Sequence, residues 1–165
     1  MKKTSVLIAA VCIAISLTRS AAAADSTAPA KPNILFILTD DQGYGDWSTN
    51  GHPLLKTPHV DKLAAESVRL ENFYVSPSCS PTRAALMTGM HEFRNGVTHT
   101  QSPRERLWKG ATTLPELLST AGYRNGIVGK WHLGSDPTGF DRWIVLPGQG
   151  DYWNPAFLLP GKKKL

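Results

Sequence analysis

The chain has 165 residues, enough for one modest domain and too few for several. At 41% hydrophobic and 19% charged it has a globular composition, which excludes a disordered or fibrous chain. The formal charge of +5 comes largely from the two ends, through Lys2, Lys3 and Arg19 and then Lys162, Lys163 and Lys164, so it is not the footprint of a nucleic-acid binder.

Lys2 and Lys3 precede an apolar run over residues 5–17, and Ala22-Ala23-Ala24 offers a small-residue cleavage site. Together they predict a secretory signal peptide over residues 1–24 and a periplasmic or secreted protein. The run is 13 residues long, short of the roughly 20 that span a bilayer. No stable membrane insertion is therefore expected after cleavage. Cleavage after Ala24 would remove Lys2, Lys3 and Arg19 and lower the formal charge from +5 to +2. It would also remove Cys12 and leave Cys79 with no internal disulfide partner, which marks it as a candidate reactive group.

Residues 25–32 form a linker of small residues and prolines. Asn33-Ile34-Leu35-Phe36-Ile37-Leu38-Thr39 is almost continuously apolar, as expected of a strand buried on both faces in a parallel α/β sheet. Asp40 and Asp41 follow at once, in Asp40-Asp41-Gln42-Gly43-Tyr44-Gly45-Asp46. Such a segment can simply terminate a strand, but adjacent carboxylates repel, and the carboxyl end of a strand is where α/β sheets gather ligands. A metal ion is the favoured reading. Thr57-Pro58 predicts an N-cap with Pro at the first helical position, and Val60, Leu63, Ala64 and Ser67 keep helical spacing. Residues 68–75 are predicted as a second strand, completing a βαβ unit.

Residues 76–89 begin as a loop and enter a helix, with Pro81 in its first turn, Ala84 to Met87 as helix formers and Gly89 as the stop. Cys79 sits at the helix start, where free N–H groups favour an anion, and Arg83 adds a permanent cation about one turn on. A buried structural cysteine before a short core helix is the plainer alternative. A further helix is predicted over 113–121, with Pro115 early and Gly122 after its end. The middle of residues 123–133 is predicted as a strand, on which Lys130 and His132 would point the same way. Lys130 could hold an anionic oxygen, and His132 could exchange a proton. No role is assigned to His52, His59, His91 or His99. Residues 144–165, rich in Pro, Gly and aromatics without a clear period, are expected to be connecting loop.

Three of these elements carry a resemblance. Cys79-Ser80-Pro81-Thr82-Arg83, continued through Leu86-Met87-Thr88-Gly89, closely resembles the signature of the type I, formylglycine-dependent sulfatases. Gly122-Tyr123-Arg124-Asn125-Gly126-Ile127-Val128-Gly129-Lys130-Trp131-His132 resembles that family's second signature, with Asn125 where the family prefers Ser or Thr. Asp40 and Asp41 match its acidic pair after the first strand. The matching elements cover residues 33–134 in the family's order.

The resemblance implies an α/β, alkaline-phosphatase-like sandwich with a mostly parallel central sheet, and hydrolysis of sulfate esters of the arylsulfatase kind. It implies that a maturation enzyme oxidises Cys79 to formylglycine, and that Asp40, Asp41 and the matured Cys79 bind calcium. One hydroxyl of the formylglycine hydrate then attacks sulfur and expels the alcohol, and the other loses a proton to release sulfate. Arg83 would orient the hydrate, Lys130 would bind the sulfate, and His132 would transfer protons. The partners implied are a sulfate-ester small molecule or sulfated glycan and a formylglycine-generating enzyme, with no nucleic acid.

Other readings compete. A phosphomonoesterase or phosphodiesterase of the same superfamily would use the same scaffold. A thiolate phosphatase fits less well, because its cradle has a longer spacing than the three residues between Cys79 and Arg83. An inert remnant would keep the motifs without turnover. The family's polypeptides are longer, and the later calcium ligands and the later Lys and His have no counterpart in the 165 residues. Residues 33–165 are thus expected to be the N-terminal part of a sulfatase catalytic domain, inactive alone.

Overall fold

The computed structural model describes residues 30–161 and the backbone of Lys163 and Lys164. The expected signal peptide and most of the linker lie outside the described residues. The chain divides into two compact units, Met1–Thr39 and Asp40–Leu165.

In the first unit, residues 30–39 carry no assigned strand, and Ile34 to Leu38 are exposed. The predicted strand over 33–39 is therefore not formed. A strand exists only through its ladder, and the four strands described pair among themselves. The same correction applies to residues 68–75 in the second unit. They have no assigned strand, and Val68, Leu70, Phe73, Tyr74 and Val75 are exposed. The expected βαβ unit is accordingly absent among the described residues.

The second unit opens with two short 3₁₀ turns, Tyr44–Asp46 and Ser48–Asn50. Helix α1, Pro58–Ala65, starts where its Thr-Pro signal predicts. Thr57 is the N-cap, but its hydroxyl turns to the Asp61 carboxylate (2.9 Å) and accepts from the Ser48 amide (3.0 Å). Ser48 Oγ also donates to Asp61 (2.6 Å), so the cap residue ties the preceding loop to the helix. These hydroxyls, Ser48 first, hold the Asp61 carboxyl below its ordinary value.

Helix α2, Cys79–Thr88, follows, with Ser78 as N-cap and Gly89 as C-cap at φ +66. The Gly89 N–H closes on the Ala85 carbonyl at 2.8 Å in the left-handed conformation that glycine adopts without strain. One turn of helix, α3 (Glu92–Asn95), leads into a long loop, and α4 spans Leu114–Thr120. Its buried N-cap Thr113 forms a capping box with Glu116, whose carboxylate accepts from the Thr113 amide (2.7 Å) and hydroxyl (3.0 Å).

Strand β1, Gly126–Lys130, pairs in parallel with β2, Arg142–Leu146. β2 then pairs antiparallel with β3, Leu158–Leu159, which pairs antiparallel with β4, Lys163–Lys164. The described sheet is mixed, with one parallel pair, where a mostly parallel one was expected. β2 and β3 also correct the reading of 144–165 as loop. Along β2, Trp143 and Val145 face inward while Arg142 and Ile144 remain outside, the period-2 alternation of a half-buried strand.

The core joins these elements. Ala84 of α2, Val97, Leu107, Ala111, Trp131, Leu133, Trp143 and Val145 are buried together, with Met87, Ile127, Phe140 and Leu158 packed against them. Trp131 meets Phe140 edge to face, with ring centroids 6.1 Å apart. Asn125, the departure from the family signature, is structural. Its side-chain amide donates to the Pro115 carbonyl (2.8 Å), Ser119 Oγ (2.9 Å) and the Gly139 carbonyl (3.1 Å), binding α4 to the loop between β1 and β2. The second unit thus holds α2 and the end of β1 on one core, which fixes where their site residues can meet. Among the described residues no helix is long and apolar enough to cross a membrane.

Candidate active site

Three of the residues singled out from sequence meet through their side chains. Asp40 divides its carboxylate between two cations: Oδ2 accepts from Arg83 Nη2 at 2.7 Å and Oδ1 from Lys130 Nζ at 3.0 Å. Arg83 also donates through Nη1 to the backbone carbonyl of Lys130. Arg83 therefore clamps α2 to the end of β1 while it binds Asp40. The cations are deeply placed, with side chains 11% and 10% exposed, against 31% for Asp40. Arg83 Nε is buried without a hydrogen-bond partner.

Burial is the largest single influence on the Asp40 carboxyl and pushes it up, but the hydrogen bonds and charges of Arg83 and Lys130 together outweigh it. The group is held below the usual carboxylate value. Two nearly buried cations share one carboxylate, so the cluster keeps a net positive charge. Such a site suits a further anion.

Cys79 is the first residue of α2, half-buried and not in a disulfide. Its thiol reaches Gln149 Oε1 at 4.0 Å. The helix start beneath it is that predicted from Pro81 and the small residues after it. Thr82 Oγ1, donating to the Ser76 carbonyl at 2.8 Å, fastens the approaching loop to the first turn.

His132 departs from the expected arrangement. β1 ends at Lys130, and His132 turns into the left-handed region at φ +51, so strand alternation does not carry from one to the other. Its ring is buried, with Nε2 lying 3.2 Å from the Thr100 carbonyl and 3.5 Å from Glu105 Oε2. Since a carbonyl only accepts, Nε2 carries the hydrogen, and in the neutral ring Nδ1 is then a free acceptor. Nδ1 has no hydrogen-bond partner. Burial, followed by the charge of Lys130, pushes the ring's proton affinity below the ordinary value, against a smaller upward pull from Glu105 and Thr100. The ring is thus held neutral and able to take a proton. It also lines a cavity of about 510 Å³ walled by Glu105, Trp131, Trp143, Pro147 and Gly148.

The expected metal pair is only partly assembled. Asp41 is exposed, at φ +53, and Asp40 faces the two cations. Among the described residues no group of three His, Cys, Asp or Glu side chains stands ready to hold a metal. The donor chemistry suits calcium, a hard cation that prefers oxygen. Two carboxylates nonetheless give at most four of the roughly 6–8 oxygens it takes, so Asp40 and Asp41 fit part of such a shell. Sequence reasoning did not single out Glu105, Thr100 or Gln149. The inward Trp143 and Val145 are the one local sign that a strand delivers the turn bearing Gln149.

The profile of the sulfatase family matches residues 32–162. The chain is 44% identical over 148 residues to N-acetylgalactosamine-6-sulfatase of Mus musculus, covering 78% of this chain and 28% of that protein. It is 42% identical over 137 residues to N-acetylglucosamine-6-O-sulfatase of Bacteroides thetaiotaomicron, covering 80% and 24%. Against arylsulfatase A of Bos taurus the identity is 43% over 143 residues, covering 79% and 28%. The chain therefore spans about a quarter of the length of these curated relatives. Among solved structures it is similar to one described in complex with its substrate D-glucosamine-2-N,6-O-disulfate. That match has a TM-score of 0.73 at 40% identity and covers 81% of this chain and 27% of the other. This likeness bears out the expected alkaline-phosphatase-like α/β fold.

Proposed function

From its membership of the sulfatase family, to which the chain belongs, we propose that the protein hydrolyses sulfate esters with a nucleophile made from Cys79. The observation that carries this reading is the meeting of three elements far apart in sequence. Arg83 comes from the Cys79 helix, Lys130 from the end of β1, and Asp40 from the acidic pair, and they form one ion cluster.

The chain's own residues supply the electrostatics. A sulfate ester carries negative charge, and the surplus cation of the Arg83, Lys130 and Asp40 cluster offsets it as the anion approaches. Lys130 binds a sulfate oxygen, and Arg83 orients residue 79 from one turn along the same helix. His132, neutral with Nδ1 an unpartnered acceptor, can take a proton during the reaction. Formylglycine at position 79 supplies, as its hydrate, a hydroxyl nucleophile in place of the thiol. Calcium would be held in part by Asp40, Asp41 and the matured residue 79, and when bound would supply Lewis-acid polarisation of the ester oxygens. The remaining ligands would come from outside the described residues.

The substrate class is a sulfated glycan or a related small sulfate ester. This follows the sulfated glucosamine bound by the structural relative and the amino-sugar sulfatases among the sequence relatives. The leader-like start supports a periplasmic or secreted location. The test is to co-express the full-length protein that contains these residues with a formylglycine-generating enzyme and compare nitrophenyl sulfate with nitrophenyl phosphate, with calcium and with chelator. Faster turnover of the sulfate, lost with chelator, is expected. Preference for the phosphate, or equal turnover by the unconverted thiol form, would overturn the reading.

A further inference from the structure

The connection from β2 to β3 brings a side chain to Cys79 that no sequence motif announces. Residues 147–150 close a turn through the Gly150 N–H and the Pro147 carbonyl at 2.9 Å. Gly148 and Gly150 take φ +51 and +83, and a Cβ at position 150 would meet Leu146 Cδ1 at 2.8 Å. The turn thus requires glycine at 150 both for its conformation and for space. Between the two glycines stands Gln149, exposed, with Oε1 4.0 Å from Cys79 Sγ across 70 residues of sequence. Among the described residues this is the one hydrogen-bonding contact the thiol makes. The same turn contributes Pro147 and Gly148 to the cavity that His132 lines.

Resting on the reading of Cys79 as the reactive position, we propose that Gln149 is a positioning residue for it. The carboxamide restricts the rotamer of residue 79. Its Oε1 accepts the thiol hydrogen here and would accept a hydroxyl hydrogen after maturation. The turn fixes the backbone at position 149, which brings the carboxamide within reach of residue 79. Arg83 ties the helix to the end of β1, and Gln149 meets the reactive group from the β2–β3 turn. No metal is needed for this contact.

The test scans charge at position 149 in the full chain with the thiol unconverted, measuring Cys79 alkylation by neutral iodoacetamide at fixed pH. Gln149→Glu places a negative charge beside the sulfur and Gln149→Lys a positive one, so the two should move its reaction in opposite directions. At low salt each change should shift the rate about fourfold in opposite directions, narrowing as salt is added. Gln149 lies outside the core, so these variants retain the fold. Equal rates in all three proteins, or a shift of both variants in the same direction, would overturn the proposal. In the converted full-length enzyme, Gln149→Ala should lower kcat roughly fivefold with KM nearly unchanged, and an unaltered kcat would refute the positioning role. Opposite alkylation shifts in a protein that hydrolyses no sulfate ester would count against the reaction assigned to Cys79 and for its pairing with Gln149.

Discussion

Replacing Asp40 with Asn keeps the shape of the side chain and removes the charge that Arg83 and Lys130 share. At 2.7 and 3.0 Å, each pairing corresponds to about 5–6 kcal/mol of gross attraction at an effective dielectric near 20. Most of that is offset by taking the ions out of water. The net cost of removing one partner from a buried pair is about 3–5 kcal/mol, because the remaining charge is stranded. Here two cations are stranded, both about nine-tenths buried, but Asp40 is 31% exposed and water screens part of its attraction. The expected loss is therefore roughly 2–3 kcal/mol. Urea unfolding in the presence of chelator measures it without any contribution from metal, and an unchanged m-value would show that only stability moved. Asp41→Asn is the matched control. It removes the same charge one residue on, from an exposed side chain, and should change stability by less than about 0.5 kcal/mol. Equal effects of the two substitutions, or an Asp40→Asn protein as stable as the parent, would refute the argument that Asp40 anchors the cluster.

His132 should shape the pH dependence of stability. Its folded-state proton affinity is lowered, so the unfolded chain binds the proton first, and stability is complete above about pH 6.5 and declines as pH falls through the folded value. His132→Gln should flatten that limb in unfolding curves between pH 7 and 5, and an unchanged slope would contradict the burial argument. Gly139→Ala should cost about 3 kcal/mol by thermal or urea unfolding, since a Cβ there would lie 2.5 Å from the Glu116 amide at φ +78. In the full-length protein, Cys79→Ala should abolish sulfate-ester turnover while unfolding at nearly the parent's urea concentration, because the thiol is only half-buried and makes one weak contact.

What was legible in the sequence was what is local. Thr57-Pro58, Pro81 with Gly89, and Thr113-Pro115 with Gly122 marked three helices within a residue or two, because caps and breakers act within one turn. β1 was legible from its apolar centre between glycines. The apolar stretches 33–39 and 68–75 looked like strands, but a strand is completed by neighbours elsewhere in the chain, and their side chains stay exposed. β2 was hidden for the opposite reason. Its short Trp143–Val145 alternation sits among the prolines and glycines that follow it. Asp40, Arg83 and Lys130 could be named because each lies in a motif. Their sharing of one carboxylate could not, since it is a contact across 43 and 90 residues. Glu105 and Gln149 had no motif at all, and only the folding of their loops brings them to His132 and Cys79.

The account stands or falls on what Cys79 becomes. The protein is co-expressed with a formylglycine-generating enzyme, and the peptide containing Cys79-Ser80-Pro81-Thr82-Arg83 is examined by mass spectrometry beside a control sulfatase treated identically. The account predicts that the thiol is replaced by an aldehyde and its hydrate, that the product reacts with an aminooxy probe, and that Cys79→Ala protein shows neither. A peptide that remains a thiol while the control is converted would contradict the central claim.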